Sequence, residues 1–113
     1  MISQANANFT RISPRKARIV ADLVRGRDAG EALQLLEFTP KAGAPIVRKL
    51  IASAMANARQ KQPGVDADRL VVSKATVDKG PNMHMRRWRP RAMGRATRIV
   101  KGVSHIHIEL DER

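Results

Sequence analysis

The chain of 113 residues carries 22 Lys and Arg against 10 Asp and Glu, a formal net charge of +12, and has no cysteine. That length supports one domain, residues 1–113, with a modest core. The missing cysteines exclude disulfides and thiolate metal sites, and the charge puts a polyanion first among partners, either nucleic acid or an anionic membrane surface.

No apolar run approaches bilayer-spanning length, and the opening MISQANANFT lacks the charged-then-apolar layout of a secretory signal. An untargeted intracellular protein without membrane insertion is expected. Phe9, Phe38 and Trp88 are its three aromatics. They are too few for the stacking platforms by which single-stranded RNA is usually read, so recognition of backbone and shape is expected instead.

In chain order, Ile2 to Ile12 is polar and short of helix signals, with Phe9 to Ile12 as a short alternating strand. Ser13-Pro14 is a helix start: Ser accepts from an unpaired N–H, and Pro at the first helical position needs no partner. This helix should run to about Arg25 and stop at Gly26. Ile19, Val20, Leu23 and Val24 form its apolar stripe, leaving Arg15, Lys16, Arg18 and Arg25 outward. Arg11 to Arg27 holds six bases and one acid, Asp22. Signs usually mix on a solvated helix, so this face is expected to touch phosphate.

Asp28 and Glu31 have capping-box spacing and start a second helix to about Phe38, with Ala32, Leu33, Leu36 and Leu35 toward the core. Thr39-Pro40 ends it. The third helix should span about Lys41 to Lys61, with Val47, Leu50, Ile51, Ala54, Met55 and Ala58 as its stripe, unless Pro45 delays the start. Asp66 and Asp68 follow in a polar connection, where a solvated turn fits better than a calcium loop. Leu70 to Val77 reads as a strand. Ser104 to Leu110 alternates strictly, with Ile106, Ile108 and Leu110 inward and His105, His107 and Glu109 outward.

Between these strands lies Lys79 to Lys101, with eight bases and no acid: Lys79, Arg86, Arg87, Arg89, Arg91, Arg95, Arg98 and Lys101. The rest of the chain contributes only +4. Six of the eight are arginines, whose planar fork pairs phosphate bidentately. Strands on both sides and Pro81, Pro90 and Gly94 within predict a long hairpin with a cationic tip. Charges also protect sheet edges, but a few lysines suffice for that. Arms of roughly ten residues, at about 3.3 Å each, would project the tip about 30 Å.

Catalytic chemistry finds little support. His105, His107 and Glu109 share a strand face, but three residues in a row at differing depths make a poor metal site. No cysteine nucleophile, glycine-rich phosphate loop or serine motif is present. No catalytic residue, metal or cofactor is expected, and no apolar stripe is spare for a homo-oligomer.

The segments Ser13 to Gly26, Val77 to Pro81, Pro90 to Ala96 and Ser104 to Ile106 closely resemble the bacterial large-subunit ribosomal protein L-twenty-two family, in order over nearly the whole chain. The resemblance implies an α+β body of three helices packed on a small three-stranded antiparallel sheet, with a long projecting β-hairpin. It further implies a cytoplasmic protein of the ribosome that binds large-subunit (23S) ribosomal RNA and neighbouring ribosomal proteins and acts early in subunit assembly. Its hairpin would line the polypeptide exit tunnel, meet the nascent polypeptide transiently and influence macrolide action.

By position, Arg15, Lys16 and Arg18, with Arg11 before them, fall on the RNA-facing first helix. Lys79, Arg86, Arg87, Arg89, Arg91, Arg95, Arg98 and Lys101 fall on the hairpin, and Trp88, Arg89, Pro90, Arg91, Ala92, Met93 and Gly94 line its tip. The arm between Pro81 and Pro90 is about two residues longer than the family pattern; an even insertion preserves side-chain alternation. The alternative reading is a DNA-architectural protein whose proline-tipped basic arm enters the minor groove.

Overall fold

The strictly alternating stretch near the end of the chain is the centre of the main sheet. The computed structural model describes residues 2–80, 86–90, 96–100 and 103–112, with side chains for 2–80 and 103–112. Its elements are β1 (Ser3–Thr10), α1 (Pro14–Val24), α2 (Ala29–Glu37), α3 (Ala44–Lys61), a single 3-10 turn (Ala67–Arg69), β2 (Leu70–Lys79), β3 (Arg86–Pro90), β4 (Ala96–Val100) and β5 (Ser104–Glu112). β1, β5 and β2 form a three-stranded antiparallel sheet in that order, with Ile108 opposite both Ala5 and Ala75.

β5 buries Ser104, Ile106, Ile108 and Leu110 on one face. Against that face α3 packs across β1 and β5, α1 lies on β2, and α2 packs on α3. Val20, Val24, Leu36, Val47, Ile51 and Ala54 join Leu70, Val72, Ala75 and Val77 in one core. Two buried serines are satisfied within it: Ser3 Oγ donates to Ala54 O (2.7 Å) and Ser104 Oγ to Ile12 O (2.6 Å). Each ties a strand to a remote segment without leaving a buried hydroxyl unpaired, which would be costly.

Ser13 caps α1 as expected, accepting from Lys16 N–H, and Gly26 beyond it has φ 82°. Such a conformation after a helix favours glycine because no Cβ clashes there. The helix is rotated from its expected stripe. Ala17, Val20, Ala21 and Val24 are buried, whereas Ile19 is 47% and Leu23 37% exposed. Small alanines let α1 approach the sheet and α3 closely, which counts for more than the bulk of the apolar side chain.

Other boundaries differ for similar reasons. β1 covers Ser3–Thr10, not only Phe9 to Ile12; pairing with β5 makes a strand of residues with little β propensity of their own. The capping box does not form: Asp28 makes no side-chain cap hydrogen bond, and Glu31 instead accepts from Arg27 Nη1 at 2.9 Å. α3 starts at Ala44, which puts Pro45 in its first turn. Asp66 accepts from Asp68 N–H (3.0 Å) and caps the 3-10 turn. β2 continues two residues past Val77, to Lys79.

Among the described residues, β3 and β4 pair only with each other, from Arg86 opposite Val100 to Pro90 opposite Ala96. The expected hairpin is therefore a second, two-stranded sheet. Its tip residues Arg91, Ala92, Met93, Gly94 and Arg95, together with Lys101, lie outside the described residues. The molecule measures 65 × 25 × 16 Å with a radius of gyration of 17.1 Å. A compact chain of this length would have about 13 Å, so the shape is that of a small body with a projection.

Candidate nucleic-acid interface

Helical geometry aligns Arg15, Arg18, Asp22 and Arg25 in one row along α1, at spacings of three and four residues. The row faces the outer edge of β2, whose other edge pairs with β5. Arg25 Nη2 donates to Ala75 O (2.5 Å) and Arg18 Nε to Val77 O (3.1 Å). Further along, Gly26 N–H donates to Val72 O and Val72 N–H to Arg27 O, both at 2.9 Å. The α1 row and the loop after it thus satisfy an edge that would otherwise be open to another strand.

The arginines of α1 therefore divide. Arg25 is folded back, donating also to Asp22 Oδ1 (2.6 Å), and Arg27 donates to Leu23 O (2.7 Å) and Glu31. Arg18 is anchored through one of the five donors of a guanidinium. Among the described residues, Arg11, Arg15, Lys16 and Arg18 are exposed and no acid pairs with any of them. Since the row runs antiparallel to β2, Arg15 continues it toward Lys79, where the hairpin leaves the body. Tertiary structure thus joins two basic segments separated by more than fifty residues in sequence.

Ile19 and Leu23, exposed on the same helix, add apolar surface beside these cations. β3 and β4 carry Arg86, Arg87, Trp88, Arg89, Pro90 and Arg98 on a paired backbone. The arms are thus in place for the expected cationic hairpin.

The histidine row serves the sheet. His105 Nδ1 accepts from Phe9 N–H (3.1 Å). His107 Nδ1 meets Asn6 Oδ1, and its Nε2 lies 3.5 Å from Glu109, which also faces Lys74 at 3.6 Å. Among the described residues, no cluster of three or more His, Asp or Glu could hold a metal ion, and no helix is long and apolar enough to cross a membrane.

Sequence reasoning missed the environment of Phe9, which is 65% exposed with φ 57°. It also missed Gly80, whose N–H donates to Val103 O at 2.7 Å. Neither residue carries a local signal, because both positions are set by strands distant in sequence.

Comparison with known proteins agrees with this arrangement. The family described as Ribosomal protein L22p/L17e matches residues 5–111. A large ribosomal subunit protein uL22 from Sorangium cellulosum is 71% identical over 113 residues, covering all of this chain and 99% of the relative. The uL22 protein of an Anaeromyxobacter species is 56% identical over 106 residues, 94% of this chain and 72% of the relative. That of Syntrophobacter fumaroxidans is 51% identical over 97% of both chains. A full-length match to this family, on a fold with the expected body and paired hairpin arms, leaves no place for the DNA-architectural reading. The chain belongs to the Ribosomal protein L22p/L17e family and is a non-enzymatic structural protein of the large ribosomal subunit.

Proposed function

We propose that this protein binds large-subunit (23S) ribosomal RNA through two connected cationic surfaces, supports subunit assembly, and places its hairpin along the polypeptide exit tunnel. The observation that carries this reading is the exposed basic cluster at the start of α1, where Arg15, Lys16 and Arg18, with Arg11 just before the helix, lie without acidic partners among the described residues. Cations kept free of acids cost self-repulsion in the isolated protein. A polyanionic partner relieves it by releasing condensed counterions.

In this reading, Arg11, Arg15, Lys16, Arg18 and Lys79 neutralise phosphates around the body and set the register of the arm. Arg86, Arg87, Arg89, Arg91, Arg95, Arg98 and Lys101 neutralise those along the hairpin. Trp88, Arg89, Pro90, Arg91, Ala92, Met93 and Gly94 face the tunnel, where the nascent polypeptide passes. Other large-subunit proteins adjoin the body. The protein works as a single copy in the cytoplasmic ribosome, without cofactor or metal.

The test is sucrose-gradient fractionation of a native lysate at low salt and after a high-salt wash, following the chain by mass spectrometry. Retention at near one copy per large subunit after the wash is the expected result. Release with the wash, or migration with nucleoid DNA, would overturn it. Arg15→Glu with Arg18→Glu should reduce incorporation, whereas Arg91→Glu with Arg95→Glu should spare incorporation and alter macrolide or nascent-chain response. Equal assembly defects from the two pairs would refute the division between body and tip.

A further inference from the structure

Among the described residues, Phe9 is the one non-glycine residue with a positive φ, 57°. A bulky side chain in the left-handed region is strained and persists only where surrounding structure holds it. Phe9 lies where the register of β1 against β5 shifts between Ala7 and Thr10, and bulges of this kind re-aim a side chain. Its N–H donates to His105 Nδ1. The two rings meet nearly perpendicular, at 89°, with centroids 4.8 Å apart.

His105 is itself held. A Cβ at Gly80 would fall 3.2 Å from His105 Nε2 and 3.1 Å from Val103 Cγ1, so the hairpin root closes tightly on the imidazole and a larger residue there would press on both side chains. Phe9 nevertheless remains 65% exposed. Burial therefore does not explain its orientation: a large aromatic is fixed in a strained conformation while most of its surface faces solvent.

We propose that Phe9 is a stacking platform for one unpaired nucleobase of the RNA bound by the body, an inference that rests on the ribosomal RNA-binding reading above. An open aromatic face accepts any base, because every base has a π-face. Exposed cations near it in sequence or at the same end of the sheet suit the phosphates of the same strand. Arg11 is exposed two residues on, Arg15 and Lys16 begin α1, and Lys79 pairs with Ser104 at this end of the sheet. Asp78, opposite His105, is the acid on that register and lies across the strand pair rather than beside Phe9 in sequence. An acidic or purely apolar partner would fit this surroundings less well than RNA.

The experiment measures binding of the full chain and its Phe9→Leu and Phe9→Tyr variants to deproteinised large-subunit ribosomal RNA over a salt series. Leu retains an apolar side chain and similar backbone strain but cannot stack. Phe9→Leu should weaken binding about 10-fold at every salt concentration, within the range measured for base–aromatic stacking. The slope of log K against log salt should not change, and Phe9→Tyr should bind like the parent. Equal affinity of the Leu variant and the parent would overturn the proposal. So would a slope reduced by about 1, the signature of a lost phosphate contact, or a lowered melting temperature that accounts for the loss. A parent chain with no affinity for this RNA would overturn the underlying reading, whereas normal parent binding with an indifferent Phe9 would overturn stacking alone.

Discussion

The body and the hairpin are two sheets built on opposite terms. In the body, β5 pairs on both sides and buries four consecutive alternate residues, Ser104, Ile106, Ile108 and Leu110, beneath α1 and α3. In the hairpin, two five-residue strands pair only with each other, a minimal unit that is marginal in water by itself. The charge is distributed the other way, with eight bases and no acid between Lys79 and Lys101. Stability is thus concentrated in one region and positive charge in the other, so each can be damaged separately.

The sharpest blow to the body should come from Ile108→Ala. Ile108 is fully buried at the centre of the sheet, and truncation there should cost about 2–5 kcal/mol. Urea denaturation of the free protein reads that loss directly. A cost below about 1 kcal/mol, in the range of an ordinary surface change, would mean that β5 is not the centre of stability.

Gly26→Ala should cost about 1–2 kcal/mol, the price of a left-handed conformation. A Cβ there meets nothing within 4 Å, so the penalty comes from the backbone alone and should appear in the same denaturation assay.

A smaller effect, about 0.5–1.5 kcal/mol, is expected for Arg25→Ala, which removes a hydrogen bond to the β2 edge at Ala75 O. The accompanying pair with Asp22 is about half exposed and adds little. Light scattering on the same variant should reveal increased self-association if Arg25 guards that edge.

The largest excision should have the smallest effect on body stability. Replacing residues 82–100 by a short Gly-Ser turn should leave the urea midpoint nearly unchanged. Binding to ribosomal RNA should weaken, with the salt slope reduced by about 5 if all six excised arginines meet phosphate. A body destabilised by several kcal/mol, as core damage would be, would show that the hairpin is part of the folding unit.

Helix α1 shows how far local sequence could be read. Ser13-Pro14 and Gly26 mark its ends through caps that depend on neighbouring residues alone, and both act as expected. Its buried face was misread because Ile19 and Leu23 are larger than Ala17 and Ala21, while the packing partner selects for close approach. Glu31 was assigned to a capping box by spacing, but Arg27 one turn away offers it a charged partner. At the interface, the bases of α1 and of the hairpin were legible as charge. That Arg25 and Arg18 also bind β2 carbonyls was not, since those carbonyls lie fifty or more residues away.

By itself the sequence determined the three helices, the alternating final strand and the concentration of arginine in the hairpin, because caps, periodicity and charge are properties of nearby residues. Only the tertiary structure decided that β1 would pair with β5, that one row of α1 would line the β2 edge, and that Phe9 would stand strained and exposed against His105. Those outcomes depend on which distant backbone groups need partners and how closely elements can approach, and both are settled only when the chain closes on itself.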